Sequence, residues 1–416
     1  MKVCVIGAGI SGLVAARNLH REHDVTVFEA GEWIGGHTNT VDVETAAGTQ
    51  AVDTGFIVFN EATYPNFCAL LRELDVPWQE SEMSFSMRCD ASGLEYNGTN
   101  LNGLFAQRLN LLRPSYWRML RDIARFYREA PAILDSPDDD TTLGDYLQQG
   151  GYSRLFIEKH LMPMGAAVWS ATAETMQQFP LRFLVQFFHN HGFLRVEGRP
   201  QWLVVRGGSR EYVNKLVEPF RERIHLRTAA TEIRRESAGV VVRTSRGHCE
   251  TFDRVFLATH GDTSLRLLSD ATPLEREILG AFRFQRNVAV LHTDASLMPR
   301  RRRAWASWNY HVTNPVSDLP TVTYWMNRLQ GLKSDTQYFL TLNRTEDIDP
   351  SKVLRSFIYQ HPIFSSHTVQ AQRRHGELDG VNGVHFCGAY WRYGFHEDGV
   401  QSALASLANL REEAPA

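Results

Sequence analysis

Residues 1–12 read Met1-Lys2-Val3-Cys4-Val5-Ile6-Gly7-Ala8-Gly9-Ile10-Ser11-Gly12. An apolar run followed at once by the pattern G-x-G-x-x-G predicts a buried strand, a tight turn and a helix. In such a unit Gly7 allows the turn, Gly9 lets backbone N–H groups approach a pyrophosphate, and Gly12 lets the helix pack on the strand. Ile10 and Ser11 open that helix, whose N-terminus would face the phosphates.

A second strand is predicted from Asp24 to Glu29. Glu29 follows Gly12 by seventeen residues, where a dinucleotide-binding unit presents a carboxylate to the ribose hydroxyls, and Ala30 is expected beside it. Strand, glycines, helix, strand and acid occur in the required order. The sequence therefore predicts a dinucleotide site in preference to a glycine-rich turn that binds nothing.

Further glycine turns favour a flavin dinucleotide over a nicotinamide one. Gly35-Gly36-His37 allows a second close approach of the backbone to phosphate or ribityl oxygens. Thr54-Gly55-Phe56 forms a short turn where the isoalloxazine is expected. Near the other end, an apolar strand closes at Gly388, and a helix begins around Asp398-Gly399-Val400. Its backbone N–H groups are expected to bind the flavin C2 carbonyl and stabilise the reduced ring.

Together these segments resemble the FAD-dependent amine-oxidase and phytoene-desaturase superfamily. The resemblance is carried by the N-terminal glycines, Glu29 with Gly35-Gly36, Gly207-Gly208-Ser209, and Gly388 with Asp398-Gly399. It implies FAD as the cofactor. It also implies an α/β fold in which a Rossmann-type, glutathione-reductase-like FAD-binding domain carries a discontinuous α+β substrate domain.

The sequence departs from that superfamily at two points. Many relatives carry arginine after the double glycine, whereas this chain has His37, so a phosphate contact there is expected to be weaker or pH-dependent. The lysine that many amine oxidases hold near flavin N5 has no assignable counterpart. Amine oxidation is therefore less strongly indicated than flavin binding.

The order of the motifs predicts two interleaved domains. The FAD-binding domain is expected to comprise residues 1–60, 196–265 and 373–416, and the substrate domain residues 61–195 and 266–372. A length of 416 residues favours more than one core.

Composition limits the partners and the compartment. A net charge of −3 gives no general reason to expect nucleic acid, and five scattered cysteines indicate reduced thiols with neither a disulfide scaffold nor metal-ligand spacing. The first strand begins at Lys2 and no apolar run reaches the length of a membrane span. A cytoplasmic protein without a metal is predicted, and its oligomeric state stays open.

Four residues are candidates for catalysis. Tyr390 and Trp391 follow the C-terminal flavin segment and are expected to wall the ring, although packing of a strand-to-helix loop explains them equally well. His396 in the same loop and His191 in an apolar stretch are candidate proton acceptors.

Apolar and basic segments point to lipid. Residues 179–194 are helix-like and broadly apolar, which suits an acyl tunnel or a helix buried between domains. Arginines interleave with aromatic residues in 113–128, and Arg300-Arg301-Arg302-Arg303 precedes two tryptophans. Such segments suit peripheral contact with an anionic membrane, or are simply solvated faces with ion pairs.

Within the superfamily the sequence looks most like a bacterial branch of predicted FAD/NAD-binding oxidoreductases linked to fatty-acid modification, including furan fatty acids. Residues 297–300, 305–310, 359–362 and 393–399 carry this likeness. It implies hydride removal from an unsaturated or methyl-branched fatty acyl chain. Amine oxidation, acyl double-bond isomerisation and lipid binding without turnover are the alternatives.

Overall fold

The computed structural model describes residues 1–45, 48–136 and 140–413. The strands are, in chain order, β1 (Lys2–Ile6), β2 (Asp24–Phe28), β3 (Thr40–Thr45), β4 (Gly48–Asp53), β5 (Val58–Phe59), β6 (Trp78–Ser81), β7 (Phe85–Cys89), β8 (Leu94–Asn97), β9 (Trp202–Val205), β10 (Ile224–His225), β11 (Ala230–Glu236), β12 (Gly239–Thr244), β13 (Cys249–Phe252), β14 (Arg254–Leu257), β15 (Arg283–His292), β16 (Trp308–Val312), β17 (Thr321–Trp325), β18 (Phe339–Leu342), β19 (Val353–Ile363) and β20 (Val384–Phe386).

The helices are α1 (Ile10–Leu19), α2 (Pro65–Glu73), α3 (Leu101–Leu104), α4 (Pro114–Glu129), α5 (Leu143–Gln149), α6 (Arg154–Phe156), α7 (Met162–Trp169), α8 (Ala173–Gln177), α9 (Leu181–Asn190), α10 (Arg210–Val217), α11 (Gly261–Leu267), α12 (Pro273–Leu279), α13 (Met326–Leu329), α14 (Ser366–Gln372) and α15 (His396–Glu413). No helix in the described ranges is both long and apolar enough to cross a bilayer.

A five-stranded parallel sheet has the order β10-β2-β1-β14-β20. Its strands are apolar on both faces because each face is covered. Val3 and Val5 of β1 pack with α1 and α15, whereas Cys4 and Ile6 pack into a second core on the opposite face. This arrangement brings the carboxyl ends of β1 and β2, with the turns that follow them, to one edge of the sheet.

A seven-stranded sheet has the order β19-β15-β18-β17-β16-β7-β8 and is antiparallel except where β16 pairs with β7. A helical core packs beside it, and α9 buries Leu184, Val185, Phe187 and Phe188 there. The apolar stretch expected over 179–194 is thus a helix between Leu181 and Asn190.

The two sheets draw on different parts of the chain. The parallel sheet takes its strands from 1–60, 196–265 and 373–416, and the seven-stranded sheet takes its strands from 61–195 and 266–372. Leu267, Leu279 and Phe282 nevertheless belong to the core beneath the parallel sheet. The predicted division assigns these three residues to the substrate domain, and its boundary at 266 stays a prediction.

One expected strand is much shorter in the structure. The alternation over 225–228 predicts a strand, but β10 ends at His225. Arg227 has a φ of +52°, which turns the chain so that the Thr228 N–H donates to the Glu29 carbonyl at 2.8 Å. A periodicity of two cannot reveal such a turn, because it depends on one backbone angle.

Candidate cofactor and substrate site

Three glycine segments that are far apart in sequence meet at one edge of the parallel sheet. Gly9 pairs with Gly35 in a parallel bridge. A Cβ added to Gly36 would lie 3.0 Å from the Gly9 Cα, and a Cβ added to Gly399 would lie 2.7 Å from Ile10 Cγ2. Larger residues would hold the N-termini of α1 and α15 apart, so the glycines permit both helices to face one space.

The turn after β1 leaves room for a pyrophosphate. A Cβ on Gly12 would lie 2.0 Å from the Gly7 carbonyl oxygen, so this position packs tightly. At Gly9, by contrast, a Cβ would meet no described heavy atom within 4 Å. Gly9 lines a cavity of about 960 Å³, large for a ligand pocket. Helix α1 has no side-chain cap at Gly9, so its first N–H groups suit the phosphates of FAD.

Glu29 is oriented by backbone groups. Its Oε2 accepts a hydrogen bond from the Ala8 N–H at 2.7 Å, and its Oε1 accepts one from the Gly31 N–H at 2.6 Å. A carboxylate has about four acceptor sites, so lone pairs remain for two ribose hydroxyls. Glu29 and Ala30 both line the cavity, as a ribose contact requires.

The segments around His37 and Phe56 pair through their backbones. The Phe56 N–H donates to the His37 carbonyl at 2.7 Å, and a Cβ on Gly55 would lie 2.0 Å from the same oxygen. The Thr54 Oγ1 lies 2.8 Å from the Tyr359 hydroxyl. This pairing explains why a glycine stands between Thr54 and Phe56, and it fixes one wall of the cavity.

His37 is an uncharged cavity-lining group near neutral pH. Burial lowers its pKa to about 3, helped by the neighbouring imidazoles of His361 and His260. Its Nε2 is buried and has no hydrogen-bond partner in the described parts of the chain. In the protein alone His37 is therefore neutral in the ordinary pH range, and a weaker or pH-dependent phosphate contact stays a prediction.

The motif Gly207-Gly208-Ser209 supports the site from outside the cavity. The Ser209 N–H and Oγ donate to Asp53 Oδ1 at 2.9 and 2.7 Å, and Gln330 Nε2 donates to Asp53 Oδ2 at 2.8 Å. Asp53 is fully buried, and burial raises its pKa to about 6. Since Asp53 is the last residue of β4 and precedes Thr54, this network positions Thr54 in the wall of the cavity.

The predicted cofactor residues fall into two groups. Those that line the cavity are Gly7, Gly9, Ile10, Ser11, Glu29, Ala30, Gly36, His37, Thr54, Gly55, Phe56 and Gly388. Those that do not are Gly12, Gly35, Asp398, Gly399 and Val400.

Three residues of the second group, Asp398, Gly399 and Val400, have structural roles at the start of α15. Asp398 Oδ2 accepts from the Phe395 N–H at 2.9 Å and so caps the helix. The Gly399 N–H donates to the Phe395 carbonyl at 3.1 Å, and Val400 is buried in the core. The N–H groups expected to reach a ligand are therefore those that precede Gly399, not those of Gly399 and Val400.

Tyr390 and Trp391 lie in the 3₁₀ turn that follows Gly388, and only Tyr390 lines the cavity. Tyr390 lines the cavity and packs against Phe282 with ring centroids 4.7 Å apart. Trp391 packs against the same Phe282 and against His375, with ring centroids 4.8 and 4.4 Å apart, but does not line the cavity. Trp391 is therefore not a wall residue, because neighbouring residues of a 3₁₀ turn point in different directions.

His396 is held in place by three contacts. Its ring stacks on Phe56 with centroids 3.5 Å apart, and its Nε2 lies 2.9 Å from Thr38 Oγ1 and 2.8 Å from the Tyr212 hydroxyl. Burial lowers its pKa well below the usual range. His396 lines the cavity, but these contacts favour positioning of Phe56 over proton transfer.

His191 lies outside the large cavity. Its Nδ1 lies 2.9 Å from the Phe187 carbonyl and its ring stacks on Phe187 at 3.9 Å. Burial lowers its pKa to about 4. It lines a separate space of about 300 Å³, so it is not placed to act as a base on a ligand in the main cavity.

One end of the large cavity is apolar. Bulky side chains come there from the seven-stranded sheet, from the three-stranded sheet of β5, β9 and β6, and from the helices and loops beside them. They are Val58, Met83, Val168, Trp169, Phe187, Phe193, Trp202, Trp308, Tyr324, Leu329, Leu340 and Leu342. Among the described lining residues, Glu29 is the only acid and none of the chain's lysines (Lys2, Lys159, Lys215, Lys333 and Lys352) occurs.

Sequence reasoning missed Tyr359 and His361. Both line the cavity from β19, with ring centroids 5.1 and 5.7 Å from that of His37. They are two residues apart and so share one face of the strand. In the sequence this alternation of aromatic rings is one sign of their position, and residues 359–362 also carry part of the family likeness.

Comparison with known proteins identifies the family of the chain. The model of the family of flavin-containing amine oxidoreductases matches residues 10–406. A Mycobacterium tuberculosis protein with the provisional name flavin-containing monoamine oxidase AofH is 28% identical over 264 residues, which cover 60% of this chain and 54% of that protein. The chain thus spans about half the length of this curated relative.

Solved structures share the fold over almost the whole chain. Cyclohexylamine oxidase from Brevibacterium oxydans is similar with a TM-score of 0.70 and 17% identity, covering 99% of each chain. The CLA-producing fatty acid isomerase from P. acnes is similar with a TM-score of 0.63 and 13% identity, covering 99% of this chain and 98% of that one. From the extent of the family match and the glycine segments that meet at one cavity, the chain belongs to the flavin-containing amine oxidoreductase family, and its cofactor is FAD.

Proposed function

We propose that this protein removes a hydride from an activated carbon, adjacent to a double bond, of an unsaturated or methyl-branched fatty acyl chain. Bound FAD supplies the hydride acceptor. The observation that carries the proposal is the apolar end of the cavity, which is lined by aliphatic and aromatic side chains from two structural layers. An acyl chain gains free energy from such a wall at about 25 cal/mol per Å² of apolar surface removed from water.

The lining argues against a charged amine as the substrate. An alkylammonium ion transferred from water needs a partner charge or a ring of polar groups. Glu29 is the only acid among the described lining residues, and it lies at the glycine edge, bonded to Ala8 and Gly31. The protein therefore binds an uncharged chain more readily than a cation.

The residues of the cavity position the chain and exclude water. Desaturation also releases a proton, which needs an acceptor. The neutral imidazoles of His37 and His361 line the cavity, but burial lowers their pKa values to about 3 and about 4, so both are poor acceptors and the proton is expected to leave to the solvent. Isomerisation, in which the hydride returns to another carbon, would need no net acceptor, and the fatty acid isomerase neighbour makes it the second candidate.

An anaerobic reduction experiment tests the substrate. The FAD-loaded protein is mixed without oxygen with unsaturated phospholipid acyl chains, with the free fatty acids, or with alkylamines. We expect the flavin absorbance to bleach with acyl chains, and mass analysis of the chains to show loss of two hydrogens. A shifted double bond without net bleaching would identify an isomerase. Rapid bleaching by amines alone would contradict the proposal and favour the activity in AofH's name. If neither acyl chains nor alkylamines bleach the flavin, lipid binding without turnover would be favoured.

Met83 offers a variant that tests the apolar wall. It lines the cavity from a loop between β6 and β7, where a larger side chain does not disturb a strand. We expect Met83→Trp to slow acyl-driven bleaching at least about tenfold, because the ring would fill space that the substrate needs. The matched control Met83→Leu keeps the volume and should retain the rate. Equal rates for both variants, with FAD content unchanged, would place the substrate elsewhere.

A further inference from the structure

The two basic segments of the sequence adjoin in the structure. Helix α3 packs against the turn Arg302–Ala304. Nearby, the Asn97 Nδ2 donates to the Trp305 carbonyl at 2.8 Å. From α3 the chain continues through residues 105–113 into α4. The Tyr116 hydroxyl of α4 donates to the Leu104 carbonyl of α3 at 2.6 Å, so the start of α4 lies beside α3. Residues 101–121 and 300–303 are therefore neighbours, and together they are called the arginine-leucine surface below.

The arginine-leucine surface exposes large apolar side chains. The exposed fractions are 74% for Leu101, 69% for Leu109, 46% for Leu111, 80% for Leu112 and 49% for Trp117. The Trp117 Nε1 donates to the Leu111 carbonyl at 2.9 Å, which fixes the loop that presents the leucines. A cluster of exposed leucines beside a tryptophan is typical of a surface that meets an apolar partner.

Three arginines of this surface have no carboxylate that compensates their charge, although Arg301 pairs with Glu95 at 3.5 Å. Arg113, Arg118 and Arg121 are exposed and have no carboxylate partner within the described residues. The chain contains no acid between Glu95 and Asp122. Both of these acids are buried and already bonded, Glu95 to the N–H groups of residues 300 and 301 and Asp122 to the N–H of residue 153.

Other arginines of the same segments are already engaged. Arg125 and Arg128 pair with Glu129, so the far end of α4 behaves as an ordinary solvated face. The Arg302 guanidinium lies 3.7 Å from the centroid of the Trp305 ring. The arginines without a carboxylate partner, Arg113, Arg118 and Arg121, are therefore in the same segment as the exposed leucines.

We propose that the arginine-leucine surface docks this protein on an anionic lipid bilayer. Leucine and tryptophan side chains enter the boundary between headgroups and acyl chains, while the arginines bind lipid phosphates. A nucleic acid would use the arginines but would leave the leucines in water. This docking does not depend on the proposed acyl chemistry, because it concerns binding alone.

Vesicle flotation tests the surface with the FAD-loaded protein and no turnover. We expect binding to vesicles of phosphatidylglycerol and phosphatidylcholine and weaker binding to phosphatidylcholine alone. Arg113→Gln/Arg118→Gln/Arg121→Gln should weaken binding to the anionic vesicles about 100-fold, at about fivefold per arginine. Leu109→Ser/Leu112→Ser should weaken binding to both kinds of vesicle.

Matched controls remove exposed residues of the same kinds elsewhere. Arg21→Gln/Arg206→Gln/Arg276→Gln and Val316→Ser/Val381→Ser should bind as the parent does, and retained flavin shows that each variant is folded. Equal vesicle binding by surface and control variants would overturn the proposal. So would self-association that Leu109→Ser/Leu112→Ser abolishes without vesicles, or duplex DNA binding that the arginine variant alone abolishes. These outcomes would assign the surface to a second copy or to nucleic acid.

Discussion

Replacing Gly9 with valine is expected to abolish retention of FAD while leaving the apoprotein folded. A Cβ at Gly9 meets no described heavy atom within 4 Å and its φ is −77°, so a side chain is tolerated by the protein itself. It would nevertheless occupy the space beside the α1 N-terminus where the pyrophosphate approaches. We expect FAD affinity to fall at least about 100-fold, or about 2.7 kcal/mol.

The measurement is flavin content per chain after gel filtration, followed by titration of the apoprotein with FAD. Gly98→Val is the matched control, since its Cβ would also meet no described heavy atom within 4 Å, yet it lies outside the cavity lining. Apoprotein melting temperatures of the two variants should be close. A Gly9→Val protein that purifies with one FAD per chain would show that the pyrophosphate does not lie at this turn.

Asp53→Ala is expected to lower the free energy of unfolding by about 3–5 kcal/mol. The substitution leaves the Ser209 N–H, the Ser209 hydroxyl and the Gln330 amide as buried donors without their acceptor. Each such group costs about 1–3 kcal/mol. Asp42→Ala is the control, because its pair with Arg210 is exposed and worth at most about 1 kcal/mol. Denaturant unfolding measures both, and equal losses would contradict the role given to Asp53.

Asp53 also predicts a pH dependence. Burial raises its pKa from 3.8 to about 6, so the folded state favours the protonated carboxyl. The stability of the parent relative to Asp53→Asn should therefore be greatest below pH about 4 and should fall as the pH rises through about 6, by at most about 3 kcal/mol. A relative stability that stays flat or rises over this window would show that the hydrogen bonds outweigh burial.

The nucleotide half of the site could be predicted because it depends on local backbone geometry. Gly7, Gly9 and Gly12 act within one turn, and Glu29 lies at the end of the neighbouring strand. Only a short stretch of chain separates each of these residues from the next, so their spacing in the sequence is enough to predict that they meet at one site. The glycine pair at residues 35 and 36 is explained in the same way by its bridge to Gly9.

The substrate half could not be predicted, because its side chains come from distant segments. His37 and His361 are in ring contact across more than 300 residues of sequence. Trp391 shows the complementary problem, since its ring lies in the same core as that of Tyr390, with centroids 5.1 Å apart, yet only Tyr390 lines the cavity. His191 looked like a free base, yet its stacking on Phe187 is visible only once α9 is folded.

The place of β20 at the edge of the parallel sheet governs how this protein matures during synthesis. The ribosome adds about 5–20 residues per second, so Gly388 and the N-terminus of α15 follow Gly7 by roughly 20–75 s. Until then α1 lacks the helix that covers its apolar face. The nascent chain is expected to need protection by chaperones in this interval, and loading with FAD is expected only after translation reaches α15.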